Sequence, residues 1–502
     1  QGEGMSEEES VIAMMKLISD DPVCQEEEKQ SIMDAFGATE EDSAMGATEE
    51  DVLYKAIQHV EKAIEKLSDD PGAVFKAKAI KALKLLRLKK PAEYQRCRAK
   101  CKKKKVSVTE LDRLTEIRPQ RAAEKRDQAA SEILIAMTQR SAELFTDNQH
   151  KPFACFTRND CSQTWALDTR EFRQWLSYQY YHRYHKAPRE QALKDAITTL
   201  AGIATHEGKC QPVYLRAAPN NNGDGYYLDL VDEQWQVVEI NKSGYQVLEQ
   251  SPVKFWRNSN MQSLPMPEPG GSINMLWEFL NIPEEDRLLV VVWLLEAFRT
   301  DTPYPILEIG GEQGSAKSTA QEYIRMLIDP SAVNLRAAPK TIEDLFVAAG
   351  QNYVVSYNNL SYLTREMQDA LCTLATGGGY AGRTLYTNEQ ETLWETKRPV
   401  VYNGITSLAS SPDLVDRIIR LSLPPVEEYK NESEMKTAFK EKYGQILGAL
   451  FQLLSDALAH MFMVGMDHPP RLVDFARLGE ATYIALGTDR EFMQDYGRIM
   501  QD

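Results

Sequence analysis

A chain of 502 residues with 43% hydrophobic and 9% aromatic residues predicts a soluble globular protein of roughly two to four domains. The longest apolar run, Leu288 to Phe298, is interrupted by Glu296 and is too short to cross a bilayer, so we expect no membrane partner. Seven cysteines do not make a disulfide framework, and the first residues lack the pattern of a signal peptide. Both observations favour a cytoplasmic protein.

The net charge of −16 argues against nucleic-acid binding by the surface as a whole, but the charge is unevenly distributed. Residues 1–75 contain 20 acidic residues against 5 lysines, whereas residues 76–126 contain 19 lysines and arginines against 5 acidic residues. We interpret residues 1–45 as an acidic tail and residues 46–130 as a small helical domain with a basic face. The basic segment either binds DNA locally or pairs with the acidic residues that precede it.

Residues 131–276 mix helical and strand patterns and are interpreted as a mixed α/β accessory domain. The predicted helices and strands are Phe172 to Tyr181, Arg189 to Ala204, Val213 to Arg216, Tyr226 to Leu230 and Trp235 to Ile240, with a turn at 220–225. After a linker rich in proline and glycine, helix and strand alternate, which predicts an α/β core over residues 277–429. Residues 430–502 are interpreted as a C-terminal helical lid region.

A glycine-rich segment between a predicted strand and a predicted helix has the sequence of a P-loop. The apolar run Pro305 to Ile309 leads into Gly310-Gly-Glu-Gln-Gly-Ser-Ala-Lys-Ser-Thr319, and a helix is predicted from Ala320 to Ile328. In such a turn, backbone N–H groups and the helix N-terminus surround phosphate oxygens. We expect Lys317 to reach the β- and γ-phosphates of ATP and Ser318 to bind Mg²⁺. The predicted ATP-binding residues are Gly311, Glu312, Gln313, Gly314, Ser315, Ala316, Lys317, Ser318 and Thr319.

Four further segments follow the P-loop along the chain. With the P-loop, the five segments are Pro305 to Thr319, Val354 to Ser361, Ala375 to Gly379, Arg398 to Gly404 and Asp413 to Arg417. Their order and spacing resemble the superfamily 3 helicase domain, an AAA+ variant found in the ATPases of phage and plasmid primase-helicases. The resemblance implies an α/β fold with an AAA+ P-loop ATPase core, a mixed α/β accessory domain and helical N- and C-terminal regions.

The resemblance also implies roles for residues beyond the P-loop. Asn358 and Asn359 end an apolar strand at the Walker B position, where a side chain binds Mg²⁺ and polarises the attacking water. Asn403 matches the sensor that positions this water, and Arg417 matches the arginine finger that enters a neighbouring subunit's nucleotide site. Arg420 is the alternative finger. From the residues alone, Asn403 would be interpreted as part of a turn, and both arginines would be interpreted as solvated side chains.

Two positions depart from the expected pattern. Ala316 stands where a glycine usually precedes the lysine, and we expect alanine to hold a helical φ there, so that ATP binding survives. Asn358 stands where aspartate is usual, and an amide neither acts as a base nor binds Mg²⁺ as strongly as a carboxylate. Either the chain was altered here to trap bound nucleotide, or its hydrolysis is naturally slow or supported by other groups.

A β-hairpin is predicted between the second and fourth segments. Arg383 to Thr387 and Glu391 to Glu395 flank a tip at 388–390, and the resemblance implies a DNA-tracking hairpin at this position. Because the tip is acidic, the predicted DNA-binding residues lie at the hairpin base. These residues are Arg383, Lys397 and Arg398, with ordinary surface charge as the alternative interpretation.

The leading hypothesis is a homo-oligomeric ring, a hexamer by resemblance, that uses ATP and Mg²⁺ to unwind or translocate on DNA. Its expected partners are single-stranded or forked DNA, further copies of itself, and a separate primase or polymerase during replication of a phage, prophage or plasmid in the bacterial cytoplasm. The predicted catalytic residues are Lys317, Asn358, Asn359, Asn403 and Arg417, and the predicted metal ligands are Ser318 and Asn358. The alternatives are a nucleotide-bound DNA-binding assembly or loader ring with little hydrolysis, and a P-loop kinase.

Overall fold

The computed structural model is a mixed α/β protein with several sheets, which confirms the predicted fold class. The structure describes residues 49–501 except 116–118, 159–160, 384–390, 406, 427, 429 and 467. The predicted acidic tail, residues 1–45, therefore lies outside the described residues. The chain divides into two compact units, Gln1–Arg126 and Asp127–Asp502. The predicted boundaries after residues 276 and 429 fall inside the second unit and stay predictions.

The first unit is a cluster of helices. They are α1 (Glu49–Glu65), α2 (Ala77–Lys89), α3 (Pro91–Lys103) and α4 (Val108–Leu114), and α5 (Pro119–Ser141) follows across the unit boundary. The apolar residues of α1 recur at helical spacing and pack against those of α2 and α3. Lys100 Nζ lies 2.5 Å from Glu61 Oε1, and Lys76 Nζ lies 2.6 Å from Asp70 Oδ2. Part of the basic segment thus pairs with the acidic residues that precede it.

The second unit begins with a small α/β layer. Its elements are β1 (Ala142–Thr146), β2 (Pro152–Arg158), β3 (Cys161–Ala166), α6 (Arg170–Tyr184), α7 (Glu190–His206) and β4 (Lys209–Cys210). The strand order is β3-β2-β1-β4, and α6 and α7 bury Phe172, Leu176 and Leu200 in a common core with residues of this sheet. Both helices predicted here are confirmed, with ends that differ by a few residues.

A second sheet follows in the same unit. Its strands and the flanking pair are β5 (Val213–Tyr214), β6 (Ala217–Pro219), β7 (Gly225–Asp229), β8 (Val237–Asn241), β9 (Gly244–Leu248) and β10 (Lys254–Phe255). β6 to β9 form an antiparallel sheet in sequential order, whereas β5 pairs with β10. The Asn220 N–H donates to the Gly225 carbonyl at 2.8 Å and closes the predicted turn. Strands are present at all three predicted positions, but β5 covers only Val213–Tyr214 of the predicted Val213 to Arg216, and β8 begins at Val237 instead of Trp235.

A four-stranded parallel sheet forms the centre of residues 277–429. The elements are α8 (Arg287–Glu296), β11 (Ile306–Gly311), α9 (Lys317–Ile328), α10 (Ile342–Gln351), β12 (Val355–Leu360), α11 (Arg365–Thr376), β13 (Gly378–Arg383), β14 (Glu391–Thr396), β15 (Val400–Gly404), α12 (Pro412–Val415) and β16 (Ile418–Leu423). The strand order is β12-β15-β11-β16. These strands are apolar runs buried on both faces, as parallel strands covered by helices require. Because they are parallel, their carboxyl ends meet at one edge.

A buried ion pair connects the antiparallel sheet to this core. Arg216 Nε donates to Asp329 Oδ1 at 3.0 Å, and both side chains are buried. Asp329 follows the last residue of α9, and its second carboxylate oxygen accepts from the backbone N–H groups of Tyr353 and Val354. The helix that begins at the glycine-rich turn is therefore anchored at its far end to the residues that lead into β12, the strand that carries Asn358 and Asn359.

The C-terminal region is helical, as predicted, with α13 (Glu432–His460), α14 (Val473–Leu486) and α15 (Phe492–Gln501). Within the described ranges, one segment, Glu432–Met463, is long and apolar enough to span a membrane. Half of its most apolar window is buried inside the protein, where Phe439 and Phe451 pack with Tyr323 and Phe298 of the core. This burial is what a core helix of a globular domain shows.

Candidate nucleotide site at the edge of the parallel sheet

The turn between β11 and α9, which the sequence predicts to bind phosphate, is tight and contains two glycines with positive φ. Gly311, the last residue of β11, has a φ of +135°, and a Cβ there would lie 2.6 Å from the Leu423 carbonyl oxygen on β16. Gly314 has a φ of +86°. Glycine is required at Gly311 for space and at both positions for conformation. The exposed Glu312 and Gln313 form the outer part of the turn.

Ala316 has a left-handed conformation, with a φ of +59°, so the expectation of a helical φ is wrong. The residue is the N-cap of α9, and the chain reverses direction there before Lys317 begins the helix. A left-handed conformation brings an alanine Cβ close to the following carbonyl oxygen and costs about 1–2 kcal/mol. A glycine at this position would avoid that cost, whereas the alanine of this chain lowers its stability by that amount.

Replacing Ala316 with glycine is expected to raise the free energy of unfolding by about 1 kcal/mol. The substitution removes the Cβ clash of the left-handed conformation, and the larger entropy of glycine in the unfolded chain offsets part of the gain. Urea unfolding of Ala316→Gly and of Ala201→Gly, a substitution inside α7, would be compared. The control should be destabilised by about 1 kcal/mol. Destabilisation of both variants alike would contradict the left-handed assignment.

Lys317 and Ser318 face the turn and the neighbouring strand end. Lys317 Nζ donates to the carbonyl oxygens of Gly311 at 2.8 Å and Glu312 at 2.7 Å. Ser318 Oγ donates to Asn358 Oδ1 at 2.8 Å, which brings the two predicted metal ligands together. Thr319 continues the first turn of α9 and is partly buried. The ammonium group of Lys317 thus lies over the same turn that would surround phosphate oxygens.

The predicted Walker B and sensor residues form one network beside the P-loop. Asn403 Nδ2 donates to Asn358 Oδ1 at 2.7 Å, and Asn403 Oδ1 accepts from the Asn359 N–H at 2.7 Å. Asn359 has a φ of +56°, which asparagine tolerates, at an irregularity in the pairing of β12. Three side chains predicted from separate segments therefore meet at the carboxyl edge of the sheet.

Gln321 completes this network and was not predicted from the sequence. Its Nε2 donates to Ser356 Oγ at 2.8 Å, and its Oε1 accepts from Asn403 Nδ2 at 2.6 Å. Gln321 lies four residues after Lys317, on the same face of α9, and this spacing is the signal that sequence reasoning could have used. Among the described residues, every side chain bonded into this network is neutral. The charged residues next to it are Lys317, at the start of α9, and Arg336, whose backbone carbonyl accepts from the Asn358 N–H at 2.8 Å.

Arg417 lies at the opposite edge of the sheet from the P-loop. The Ile306 N–H at the start of β11 donates to the Arg417 carbonyl at 2.8 Å, whereas the P-loop follows the other end of β11. Five residues of extended strand separate these ends by about 17 Å. The Arg417 guanidinium is thus too far away to contact a phosphate group held in the P-loop of its own chain.

The Arg417 side chain is held by its own helical turn. Its Nη1 donates to the Asp413 carbonyl at 2.6 Å and lies 2.7 Å from Asp413 Oδ2, which holds the pKa of that carboxyl below its usual range. Arg471 bonds the same carboxylate and also lies 3.2 Å from Asp416 Oδ2. Within the described part of the chain, Arg417 Nε is a buried donor without a hydrogen-bond partner. Asp413 and Arg471 were not predicted as neighbours of the Arg417 guanidinium.

Arg420 occupies a different environment. Its Nε lies 3.7 Å from Glu308 Oε1, a buried carboxylate on the adjacent strand that also accepts from Tyr402 Oη at 2.9 Å. Burial and this carboxylate raise the pKa of Tyr402 well above its usual value. Arg420 thus interacts with the core of its own sheet, and the two arginines that the sequence could not separate have distinct surroundings.

The predicted hairpin is present, but its first strand begins earlier than expected. β13 covers Gly378–Arg383 and pairs with β14, with Gly378 opposite Thr396 and Arg383 opposite Glu391. The pairing register starts at the glycine run that follows α11, and Arg383 of the predicted first strand belongs to β13, whereas residues 384–387 lie outside the described residues. The predicted tip at 388–390 lies outside the described residues.

Lys397 and Arg398 follow β14 and line a cleft of about 720 Å³. Arg398 Nε donates to the Ala349 carbonyl at 3.0 Å, and burial lowers the pKa of its guanidinium. Burial also lowers the pKa of Lys397, whose Nζ lies 5.8 Å from the ring centroid of Tyr304. Both cations are therefore partly enclosed by protein groups, and the cleft is separate from the P-loop.

These features define an α/β protein with a P-loop and three converging polar side chains at the carboxyl edge of a parallel sheet. Residues 273–496 match the family model of the actinomycete integrative conjugative element replication protein. The matched region includes the P-loop, the asparagine network and Arg417. No curated protein has a significant sequence match to the chain.

The chain is also similar to two kinds of solved structure at low identity. The apo structure of the NrS-1 C-terminal region is 12% identical with a TM-score of 0.38, covering 72% of this chain and 75% of that one. A ligand-bound structure of JCV helicase is 13% identical with a TM-score of 0.26, covering 43% of this chain and 61% of that one. At such scores these similarities carry no weight for function.

Proposed function

We propose that the chain is an ATP-dependent DNA helicase or translocase that acts as a homo-oligomeric ring in the replication of a mobile genetic element. The observation that carries the proposal is the meeting of Ser318, Asn358 and Asn403 beside the P-loop. These residues come from separate segments, and their convergence is what a phosphoryl-transfer site requires. The match of residues 273–496 to a replication protein family supports the biological setting.

The residues present fit ATP and Mg²⁺. The turn from Gly311 to Ser318 would surround the β- and γ-phosphates with backbone N–H groups, and Lys317 would neutralise their charge. Ser318 and Asn358 would hold Mg²⁺ between them, with Asn403 orienting the attacking water. The bound ion would supply charge neutralisation at the transferred phosphoryl group.

Arg417 supports an oligomeric site. Since about 17 Å of strand separates it from the P-loop of its own chain, its guanidinium would act on nucleotide bound by a neighbouring copy. A site of this kind is incomplete in a monomer, so turnover would depend on assembly. The same separation argues against the kinase alternative, in which one chain supplies the whole site.

A nucleotide-dependent assembly with little hydrolysis is the second candidate, and one observation favours it. The side chains hydrogen-bonded around Asn358 are amides and hydroxyls among the described residues, and none of them can act as a general base. ATP would then bind between subunits and stabilise a ring or loader without rapid turnover. Assembly with ATP but no turnover, even after aspartate is introduced at position 358, would support this candidate.

Lys317→Ala is expected to weaken nucleotide binding by roughly a hundredfold, because it removes a charge-assisted contact to the phosphates. Binding of a fluorescent ATP analogue at saturating Mg²⁺ would be measured for the wild-type chain, for Lys317→Ala and for Lys440→Ala, a substitution of an exposed lysine on α13. The control should bind as the wild type does. Failure of the wild-type chain to bind the analogue would refute the proposed function.

A further inference from the structure

A segment of the small α/β layer formed by β1–β4, α6 and α7 combines aromatic and basic residues in an otherwise acidic protein. Residues 173–189 contain four lysines or arginines and no acidic residue, although the whole chain has a net charge of −16. Five of the ten residues from Trp175 to Tyr184 are aromatic. Most of the segment belongs to α6, so these side chains are displayed at fixed helical positions.

The structure separates the packed aromatics of α6 from the exposed ones. Tyr178 and Tyr181 are 57% and 51% exposed, although large apolar rings are usually covered. The Tyr178 ring lies 6.0 Å from His182, and the Tyr181 ring lies 6.0 Å from His185. Because Tyr178, Tyr181 and His182 are three or four positions apart, their rings share one exposed face of the helix, and His185 follows as the C-cap of α6.

Cations border this face, and a groove lies beside it. Residues 181–187 are all exposed, and they include Arg183 and Lys186. A cavity of about 250 Å³ between α5 and α6 is lined by Arg140, Arg183, Trp175 and other residues of the two helices. Arg183 is exposed and lines the groove, on a different side of α6 from Tyr178 and Tyr181.

We propose that the exposed face of α6 binds single-stranded nucleic acid, with bases stacked on Tyr178 and Tyr181 and phosphates paired with Lys186 after the end of the helix and with Arg183 at the adjacent groove. Aromatic rings on a positively charged surface bind unpaired bases without sequence preference, whereas a duplex hides its base faces. The charge disfavours a second copy of the same face as the occupant, because a symmetric contact would oppose cation to cation.

This site lies outside the P-loop network, and it would hold a strand independently of nucleotide. We expect DNA binding there without ATP, which makes its failure distinguishable from failure of the proposed ATPase function. In an assembled ring, this face would let the small α/β layer that contains α6 bind the DNA strand independently of the P-loop core. Its occupancy would therefore depend on salt but not on Lys317.

The double variant Tyr178→Ala/Tyr181→Ala is expected to weaken binding of a fluorescent oligo(dT) of about 15 nucleotides by tenfold or more. Fluorescence anisotropy on the full chain without nucleotide would be the measurement. Phe462→Ala removes another exposed aromatic ring, 82% exposed, and should bind as the wild type does. Tyr178→Phe/Tyr181→Phe should also retain binding, because phenylalanine preserves the stacking surface.

Arg183→Gln/Lys186→Gln should reduce the slope of log K against log salt concentration by roughly 1.4, since about 0.7 is expected for each phosphate contact to a single strand. Affinity within twofold of wild type for the double alanine variant would overturn the proposal. Equal binding of a blunt duplex, or displacement of the oligonucleotide by a peptide of residues 1–45 at equimolar concentration, would also overturn it. The latter result would identify an acidic segment as the occupant.

Discussion

Replacing Arg417 with alanine, in a chain that carries aspartate at position 358, is expected to lower ATP turnover by roughly a thousandfold. An arginine that neutralises charge on the transferred phosphoryl group contributes about 10³–10⁵ to turnover. The removal should change ATP affinity far less than turnover, because the P-loop and Lys317 that would hold the phosphates stay intact. Steady-state phosphate release and binding of an ATP analogue would measure the two effects separately.

A mixing experiment tests whether Arg417 acts between subunits. Arg417→Ala subunits retain an intact P-loop, whereas Lys317→Ala subunits retain an intact arginine. Each variant alone should be inactive, and a mixture should recover part of the turnover, since a P-loop from one can meet an arginine from the other. Arg420→Ala serves as the comparison, because its partner is the buried Glu308. Full activity of the Arg417→Ala variant would contradict the proposed role.

Asn358→Asp is expected to raise ATP turnover by roughly a hundredfold, with DNA-stimulated hydrolysis and unwinding of a forked substrate. A carboxylate at this position binds Mg²⁺ more strongly than an amide, and general-base assistance contributes about 10²–10⁴. The change is isosteric. Asn358 Oδ1 already accepts hydrogen bonds from Ser318 and Asn403, and a carboxylate oxygen accepts the same two bonds. Phosphate release with and without single-stranded DNA would measure the gain.

The matched control for this substitution is Asn359→Asp. The backbone N–H of Asn359 donates to Asn403 Oδ1. The backbone of Asn359 is in the left-handed conformation, which aspartate also tolerates. We expect a much smaller change in turnover there. If Asn358→Asp binds ATP and assembles but neither hydrolyses ATP nor unwinds DNA, the nucleotide-dependent assembly replaces the motor as the better account of this chain.

Much of the candidate nucleotide site could be predicted from the sequence because its signals are local. The P-loop depends on an apolar strand, a glycine-rich turn and a Lys-Ser pair at fixed spacing, and all of these lie within about fifteen consecutive residues. The order of five segments then indicated Asn358 and Asn403, and the structure brings both to Ser318. The helical assignments of α6 and α7 likewise followed from short-range periodicity.

Errors arose where a backbone angle or a pairing register decided the outcome. The sequence pattern does not specify the φ of Ala316, because the left-handed conformation results from closing the turn between β11 and α9. The start of β13 depends on which residues face Thr396 and Glu391 across the hairpin. The φ of Ala316 and the start of β13 each depend on how two chain segments pack together. Neither can be predicted from the sequence of one segment alone.

The amino-acid sequence alone predicted the type of chemistry: a P-loop, polar residues at two strand ends, and arginines at or just after the end of the fifth segment. Tertiary structure alone decided that Arg417 lies at the far edge of the sheet while Arg420 contacts a buried carboxylate. It also decided that Tyr178 and Tyr181 are exposed instead of packed. Parallel strands place their carboxyl ends at one edge of the sheet, which separates Arg417 from the P-loop. The direction and burial of a side chain depend on neighbours that are distant in the chain.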